Sequence, residues 1–483
     1  MNNYIPLNVG ELHFIGIGGI GMSGVAEILH NLGYKITGSD VSENDNIFRL
    51  NKLGIKTFLG HKPENVKNAA VVVKSTAIKD DNLEIIEARK RKIPIISRSE
   101  MLAEITRLKN TIAITGCHGK TTTTSLVGHL FTKAGLKPTI INGGILNNFS
   151  SNALLGEGNW IVAEADESDG TFIKIPSTIG IVTNIDREHL DYWKTYKKLI
   201  DAYKIFIKNL PFYGFSLLCY DDKLLRKFSN SAEFQDKKIY TYSLTNKKAN
   251  FYAKNIRYNV DATSFDFVAQ NGLESKGIEL KGVQIPLFGK HNVQNAVAVI
   301  ALGLLNKIPT SVIKNAFLDF KGVKRRFSKE GEYKGTIIID DYGHHPAEIS
   351  ATLSSARQVC EGKIITVFQP HRFTRFKDQW LGFLQCFALS DYIIVLDIYP
   401  ASEEPIKGIT SANFAHELSK RQKNIIYLSD RVGKGKDEII NNKELARLLK
   451  SLITPKDYIL CTGAGDITYI AKSLEKNLGG VGK

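Results

Sequence analysis

Two glycine-rich turns carry most of the chemistry legible in this sequence. Thr115-Gly116-Cys117-His118-Gly119-Lys120-Thr121-Thr122 follows the apolar run Thr111–Thr115 and opens a segment of helical period that reaches about Lys133. In a loop of this type backbone N–H groups wrap phosphate oxygens. Lys120 is then placed to neutralise the β- and γ-phosphates, and a hydroxyl of Thr121 or Thr122 to reach Mg²⁺. The loop is shorter than G-x-x-x-x-G-K-[ST], because Ile114 stands where the first glycine would fall. That departure predicts a specialised ATP site rather than a motor or a GTPase. The other turn is Gly16-Ile17-Gly18-Gly19-Ile20-Gly21, a G-x-G-x-x-G pattern with Asp40 following at the end of the next apolar run. Its glycines let the backbone approach a diphosphate at a helix N-terminus, and the carboxylate accepts hydrogen bonds from a ribose. Read alone, this pattern fits NAD. A UDP-sugar supplies the same diphosphate and ribose, and a tight turn that binds nothing is the bland alternative. Glu164, closing the apolar run Trp160–Ala165, offers the hard oxygen ligand that Mg²⁺ prefers.

These groups need rigid elements behind them, and the sequence supplies an α/β pattern. Strand-like runs at Leu12–Ile17, Lys35–Gly38, Ala69–Val73, Thr111–Thr115, Trp160–Ala165, Thr178–Val182, Gly335–Asp340, Lys363–Phe368, Tyr392–Leu396 and Tyr458–Cys461 alternate with helical segments such as Ser23–Leu32. That alternation predicts largely parallel sheets with the chemistry at strand C-terminal ends. Three sections follow from it, 1–107, 108–322 and 323–483. The length of 483 residues exceeds what one core sustains. No apolar run approaches the ~20 residues a bilayer requires, and the first one is broken by glycines, so neither a signal peptide nor a membrane partner is expected. Five cysteines with no C-x-x-C pair fit a reducing cytoplasm better than a disulfide framework. The net charge of +15 is spread along the chain rather than gathered into a basic tract. It suits polyanionic nucleotide substrates, and no nucleic-acid partner is expected. Nothing in the sequence specifies an oligomeric state.

The Lys120 loop, with the four threonines Thr121 to Thr124, resembles that of the Mur ligases, ATP-dependent amide-forming enzymes of peptidoglycan precursor synthesis. The resemblance extends through the opening segment His13 to Ser23, Asn142-Gly143-Gly144, Glu164-Ala165-Asp166-Glu167-Ser168-Asp169, and Gly289-Lys290-His291-Asn292-Val293-Gln294-Asn295. It continues through Arg325-Arg326-Phe327, Asp340 to Pro346, Gln369-Pro370-His371-Arg372-Phe373 and Gly463-Ala464-Gly465-Asp466. What it implies is an α/β protein of three domains: a Rossmann-like N-terminal domain for the UDP-sugar, a P-loop-type central ATPase domain, and a Rossmann-like C-terminal domain that closes over ATP and binds the amino acid.

The reaction implied joins L-alanine to the lactyl carboxylate of UDP-N-acetylmuramate through an acyl phosphate. A free carboxylate repels the amine and has a poor leaving group, and phosphorylation by ATP supplies a good one. Positioning and electrostatics are then the protein's main task. The resemblance assigns Gly16, Gly18, Gly19, Gly21 and Asp40 to the UDP-sugar. It assigns Gly116, Cys117, His118, Gly119, Lys120, Thr121, Thr122, His291, Asn292, Asn295, Arg326 and Asp341 to ATP. Thr121 matches a ligand of one Mg²⁺, Glu164 and His189 match those of a second, and Lys120, Glu164 and His189 are the expected catalytic residues. His345, His371, Arg372 and Arg375 are expected at the amino acid, where a guanidinium can pair with its carboxylate. The bland reading of His344-His345 is a pair of exposed histidines in a turn. Cys117 stands where the family commonly has Thr. Its place at a helix N-terminus beside Lys120 predicts a depressed pKa and sensitivity to oxidation. The lysine that several relatives carbamoylate falls at Tyr203 or Lys204, and no modified lysine is assigned there. Three rival readings stand beside this one: a ligase adding a whole peptide to the same UDP-sugar, an NAD(P)-dependent dehydrogenase, and a non-catalytic UDP-sugar sensor.

Overall fold

A computed structural model describes residues 9–75, 77–146, 151–258, 262–270, 277–401, 403–429, 431–432, 439–440 and 442–480. They form two compact units. One holds the chain up to Asn255 together with Phe265–Ile285 and Gln294–Lys321, and the other holds Ile256–Ser264, Pro286–Val293 and the chain from Gly322 onward.

The first unit carries two sheets. Its five-stranded sheet runs Lys56–Leu59, Lys35–Asp40, Glu11–Ile15, Ala69–Lys74, Ile95–Ser97, all parallel. This is the doubly wound order 3-2-1-4-5, short of only the sixth strand, with the central strand feeding the first glycine turn. Strand Glu11–Ile15 is wholly buried and ends two residues earlier than the apolar run suggests. Gly16 turns with φ +80°, and its N–H and that of Ile17 both donate to the Ser39 carbonyl. The following helix accordingly starts at Ile20, capped by Gly19, rather than at Ser23.

The second sheet has ten strands. Its parallel centre places Asn110–Thr115 between Ile179–Val182 and Trp160–Glu164, so the strands ending at Thr115, Val182 and Glu164 open toward one edge. Helix Lys120–Lys133 leaves the first of these, and every residue from Thr121 to Phe131 is buried. Of its buried hydroxyls Ser125 is bonded, whereas those of Thr123 and Thr124 have no hydrogen-bond partner. Ser125 Oγ donates to the Thr121 carbonyl at 2.6 Å, and Asn142 Nδ2 donates to Ser125 Oγ at 2.9 Å. The strands between 239 and 285 were not legible as strands from apolar runs. Thr263–Ala269 alternates buried and half-buried residues, the signature of a sheet wet on one face.

The second unit holds a six-stranded sheet in the order Ser328–Tyr333, Thr336–Asp341, Tyr458–Thr462, Ile364–Phe368, Tyr392–Val395, Ile425–Tyr427. Only the first pairing is antiparallel. Strands Ile364–Phe368 and Tyr458–Thr462 are buried throughout, as a parallel sheet covered on both faces requires. Phe368, Phe376, Phe383, Phe387 and Phe414 cluster on one side of it, and Leu445, Leu449, Ile467, Ile470 and Leu474 on the other.

Candidate active site

The Lys120 loop is shaped by its backbone. Gly116 sits at φ +128°, and a Cβ there would lie 2.1 Å from Thr183 Oγ1. Only a residue without a side chain fits. Gly119 caps the helix in the left-handed region at φ +84°, aiming the first-turn N–H groups out of the loop. The strand end at Val182 then clamps the cradle from the side. Asn184 Oδ1 accepts from His118 N at 2.9 Å, while Thr183 Oγ1 and Asn184 Nδ2 donate to the His118 carbonyl at 2.6 and 2.9 Å. Asn295 lies against the same loop, with Oδ1 2.9 Å from where a Cβ on Gly119 would stand.

Lys120 is held from several directions. Its Nζ donates to the carbonyls of Gly116 and Cys117 at 2.8 and 3.4 Å, and to both carboxylate oxygens of Glu167 at 2.8 and 2.7 Å. Asp166 Oδ1 is 4.0 Å away. His189 Nε2 approaches Glu167 Oε1 at 3.4 Å and Glu188 Oε2 at 3.7 Å. Glu167 is fully buried, and its own carbonyl accepts from Trp193 Nε1 at 2.8 Å. Glu164 Oε2 accepts from Gly143 N at 2.8 Å, joining the Asn142-Gly143 segment to the end of its strand.

Electrostatics follow from this crowding. Burial opposes the charge on Lys120, but Glu167, Asp166 and Glu164 outweigh it and hold its proton far above the usual lysine range. Burial pushes Glu167 up to about 7, with Asp166 adding to the rise and Lys120 resisting it. Burial also acts on Asp166, yet Lys120 and the Ser168 N–H hold it below the usual carboxylate range. One lysine thus faces several carboxylates, Glu167 buried and Asp166 partly open to solvent, an excess of negative charge that suits hard cations. Ligand atoms of Asp166, Glu167 and His189 lie within 4.8 Å of one another. The donor set of carboxylates with one imidazole fits Mg²⁺.

Glu167 is the residue that reading the sequence undervalued. Glu164 ends its strand and draws notice, whereas Glu167 stands in a turn closed by Gly170 at φ +70° that carries its side chain back under Lys120. Arg98 was also missed. Its Nη2 pairs with Asp169 Oδ2 at 3.1 Å, and its guanidinium lies over Gly21, where a Cβ would meet Nη1 at 2.4 Å. It therefore links the first glycine turn to the turn that follows Glu164. In that first turn Gly18 N donates to Asp40 Oδ2 at 2.9 Å. The carboxylate expected at the ribose is thus fixed by the loop it serves.

One expectation is overturned here. Burial, with the charges of Glu167 and Glu188, pushes the Cys117 thiol well above its usual value, against the weaker pull of Lys120. Its sulfur faces inward, accepting from Asp186 N at 3.1 Å and lying 3.9 Å from the Tyr203 hydroxyl. It is neither acidified nor presented to oxidants. Tyr203 is buried, and Lys204 Nζ pairs with Glu233 at 2.8 Å.

In the second unit, Asp341 is buried with its oxygens accepting from Phe327 N, Gly343 N and Thr352 Oγ1 at 2.9, 2.9 and 3.0 Å, and burial raises its pKa. Arg326 lies over the Tyr342 ring and 3.6 Å from Glu348. Asn292 Nδ2 donates to the Phe288 carbonyl at 2.7 Å, at the start of the helix that also carries His291. His345 is the N-cap of helix Pro346–Val359 in a capping box with Glu348. His344 and His345 are not an exposed pair, since His345 is buried and His344 packs against Tyr342. His371 stacks on Tyr399 with ring centroids 5.5 Å apart and shares a 3.1 Å hydrogen bond with Arg375, whereas Arg372 turns to Glu403 at 2.6 Å. Burial, reinforced by Arg375, lowers His371 to about 4, and burial against the pull of Glu348 lowers His344 to about 3.

Comparison with known proteins gives a consistent answer along the chain. Three family descriptions match in order: "Mur ligase family, catalytic domain" over residues 11–110, "Mur ligase middle domain" over 114–303, and "Mur ligase, glutamate ligase domain" over 325–465. A UDP-N-acetylmuramate–L-alanine ligase of Rickettsia felis is 49% identical over 477 residues, covering 97% of this chain and 96% of its own. That of Rickettsia canadensis is 49% identical over 478 residues, with 97% and 96% covered. Among solved structures, a UDP-N-acetylmuramate–alanine ligase from Thermotoga maritima superposes with a TM-score of 0.80 at 28% identity, covering 98% of this chain and all of its own. A murein peptide ligase from Psychrobacter arcticus shares the fold at a TM-score of 0.68 and 19% identity, over 98% of this chain and 99% of its own.

Proposed function

This chain belongs to the Mur ligase family, and from that premise we infer its reaction. It is an ATP-dependent ligase that joins L-alanine to the lactyl carboxylate of UDP-N-acetylmuramate, releasing ADP and phosphate, in peptidoglycan precursor synthesis. The observation that carries the chemistry is the convergence, inside one unit, of the Lys120 phosphate loop with Glu164, Glu167 and His189.

We assign the steps as follows. The loop Gly116 to Thr122, with Asn295, holds the ATP phosphates, and Lys120 spreads the charge that develops on the transferred group. The remaining ATP contacts we assign to His291, Asn292, Arg326 and Asp341, and the UDP-sugar to Gly16, Gly18, Gly19, Gly21 and Asp40. Thr121, Glu164 and His189 would hold magnesium, which supplies neutralisation of phosphate and carboxylate charge when bound. Alanine is assigned to His345, His371, Arg372 and Arg375, and the domains to 1–107, 108–322 and 323–483. What supports an anion site there is the Arg375 guanidinium, hydrogen-bonded to His371 and able to pair with a carboxylate. Among the described residues no helix is long and apolar enough to cross a membrane. We place the reaction in the cytoplasm, where ATP and UDP-sugars are made. A dehydrogenase would leave Lys120 and its carboxylates without a task, and the relatives at 49% identity are named for alanine, whereas the murein peptide ligase shares 19%.

Phosphate release by the purified chain, with each substrate omitted in turn, tests this reading. Release is expected only with ATP, UDP-N-acetylmuramate and alanine together, and Lys120→Ala is expected to lower it by about 10³-fold or more. Release indifferent to alanine and the UDP-sugar would exclude the assignment.

A further inference from the structure

The start of helix Ile20–Asn31 is gripped from two sides by residues distant in sequence. On one side stands Asn152, in strand Ser151–Leu154 of the ten-stranded sheet. Its Nδ2 donates to the Ile20 carbonyl, and its Oδ1 accepts from Arg49 Nη2 at 3.0 Å. On the other side stands Arg98, the first residue of helix Arg98–Thr106. Its guanidinium fills the space that Gly21 leaves open, and its Nη2 donates to Asp169 Oδ2 at 3.1 Å. Asp169 is itself anchored, because its Oδ1 accepts from Thr171 N at 3.0 Å and from the Thr171 hydroxyl. Both side chains of the pair are largely shielded from solvent. The two grips end in different places. Asn152 lies in a strand that carries no residue assigned to a substrate. Asp169 lies in the turn that carries Asp166 and Glu167, whose carboxylates face Lys120. Arg98 is thus a strut between the turn assigned to the UDP-sugar and the turn beside the phosphate loop.

Phosphoryl transfer needs the lactyl carboxylate of a substrate held at one turn to meet the γ-phosphate of a substrate held at the other. Reacting atoms must come within about 3–3.5 Å, and a misplacement of about 1 Å can cost about 10²-fold in rate. We propose that Arg98, acting through Asp169, is a positioning residue that sets the UDP-sugar turn against the ATP turn for this step. A guanidinium suits the task, because its planar fork fixes the direction of the bond it donates while its flat face packs against the glycine. The inference rests on the ligase reading for what each turn holds, and it gives a role to a residue which that reading leaves unassigned.

The test is steady-state kinetics of the full chain with ATP, UDP-N-acetylmuramate and L-alanine. Arg98→Gln and Asp169→Asn are each expected to lower kcat about tenfold or more while KM for ATP stays within about threefold. The double variant is expected to be no slower than the slower single one, because the two residues act as a unit. Asn152→Ala cuts the other grip on the same helix, and is expected to lower the melting temperature yet keep kcat within about threefold. An unchanged kcat in Arg98→Gln overturns the proposal, as do losses that multiply in the double variant. An equal loss of kcat in Asn152→Ala also overturns it, since Arg98 would then be one more clamp on the helix. So does a rise in KM for the UDP-sugar in Arg98→Gln that Asp169→Asn does not share, the mark of direct contact with substrate. Should the Gln variant not fold, Asp169→Asn against Asn152→Ala carries the same comparison. Failure of the ligase reading shows elsewhere, as wild-type phosphate release that ignores alanine and the UDP-sugar.

Discussion

Cys117 occupies a position where a helix N-terminus and a lysine ordinarily acidify a thiol. The outcome is reversed because the two stabilising charges are already committed. Lys120 is paired to Glu167, the thiol points away from the phosphate cradle toward Tyr203, and burial dominates. All five cysteines are buried as free thiols. An alkylating reagent at pH 8 is therefore expected to label less than one thiol per native chain, with or without ATP, and five after denaturation. Rapid labelling of Cys117 that ATP blocks would restore the acidified reading. Replacing Cys117 by the threonine common in the family keeps the backbone cradle and is expected to leave kcat within about threefold, as a small volume-conserving change away from the phosphates.

At the scale of elements, the second glycine turn works because strand Asn110–Thr115 and helix Lys120–Lys133 are joined by too few residues to permit side chains at the close approach. Gly116→Ala drives a methyl into Thr183 Oγ1 at a φ of +128°. It is expected to cost about 1–3 kcal/mol of stability and to abolish detectable ATP binding, measured by thermal melting and calorimetry. Gly135, two residues beyond the other end of the same helix, separates strain from the site. It also lies at positive φ, +74°, but nothing stands within 4 Å of an added Cβ. Gly135→Ala is expected to lose about 1 kcal/mol and retain full ATP affinity. Equal loss of affinity in both variants would mean that the helix, not the cradle, sets binding.

At the scale of the molecule, the two units respond differently to acid. His344 and His371 are held neutral in the fold, near pKa 3 and 4, by burial and neighbouring cations. The unfolded chain charges its histidines near 6.5, so it binds more protons than the fold below that pH. Their contribution to stability is complete above about 6.5 and drains away as pH falls toward 4 and then 3. In the other unit Glu84 runs the opposite way from an ordinary buried acid. Burial would raise it, but His13, His61, Ser39 and Asn65 bond its carboxylate and hold it well below the carboxylate range. Its contribution persists above about 4.5 and is lost only below. Hydrogen exchange between pH 7 and 5 is expected to show amides of strands Thr336–Asp341 and Ile364–Phe368 losing protection before those of strands Glu11–Ile15 and Lys35–Asp40. Simultaneous loss would count against this separation.

The sequence by itself determined the sheets' central strands and both glycine turns. Each turn sits in a contiguous strand–glycine turn–helix whose shape is carried by its own backbone, so linear order is enough. It determined the family too, because the motifs fall in order from His13 to Asp466. Tertiary structure decided what the side chains between those motifs do. Glu167 reaches Lys120 across 47 positions, Arg98 reaches Asp169 across 71, and Asp40 turns back onto Gly18 across 22. The direction of a side chain in a turn depends on backbone angles such as φ +70° at Gly170 and φ +54° at His189, which residue types do not encode. Burial decided the rest: the same thiol or carboxylate gains or sheds its proton according to how much water and which charges surround it, and those are properties of the packed fold.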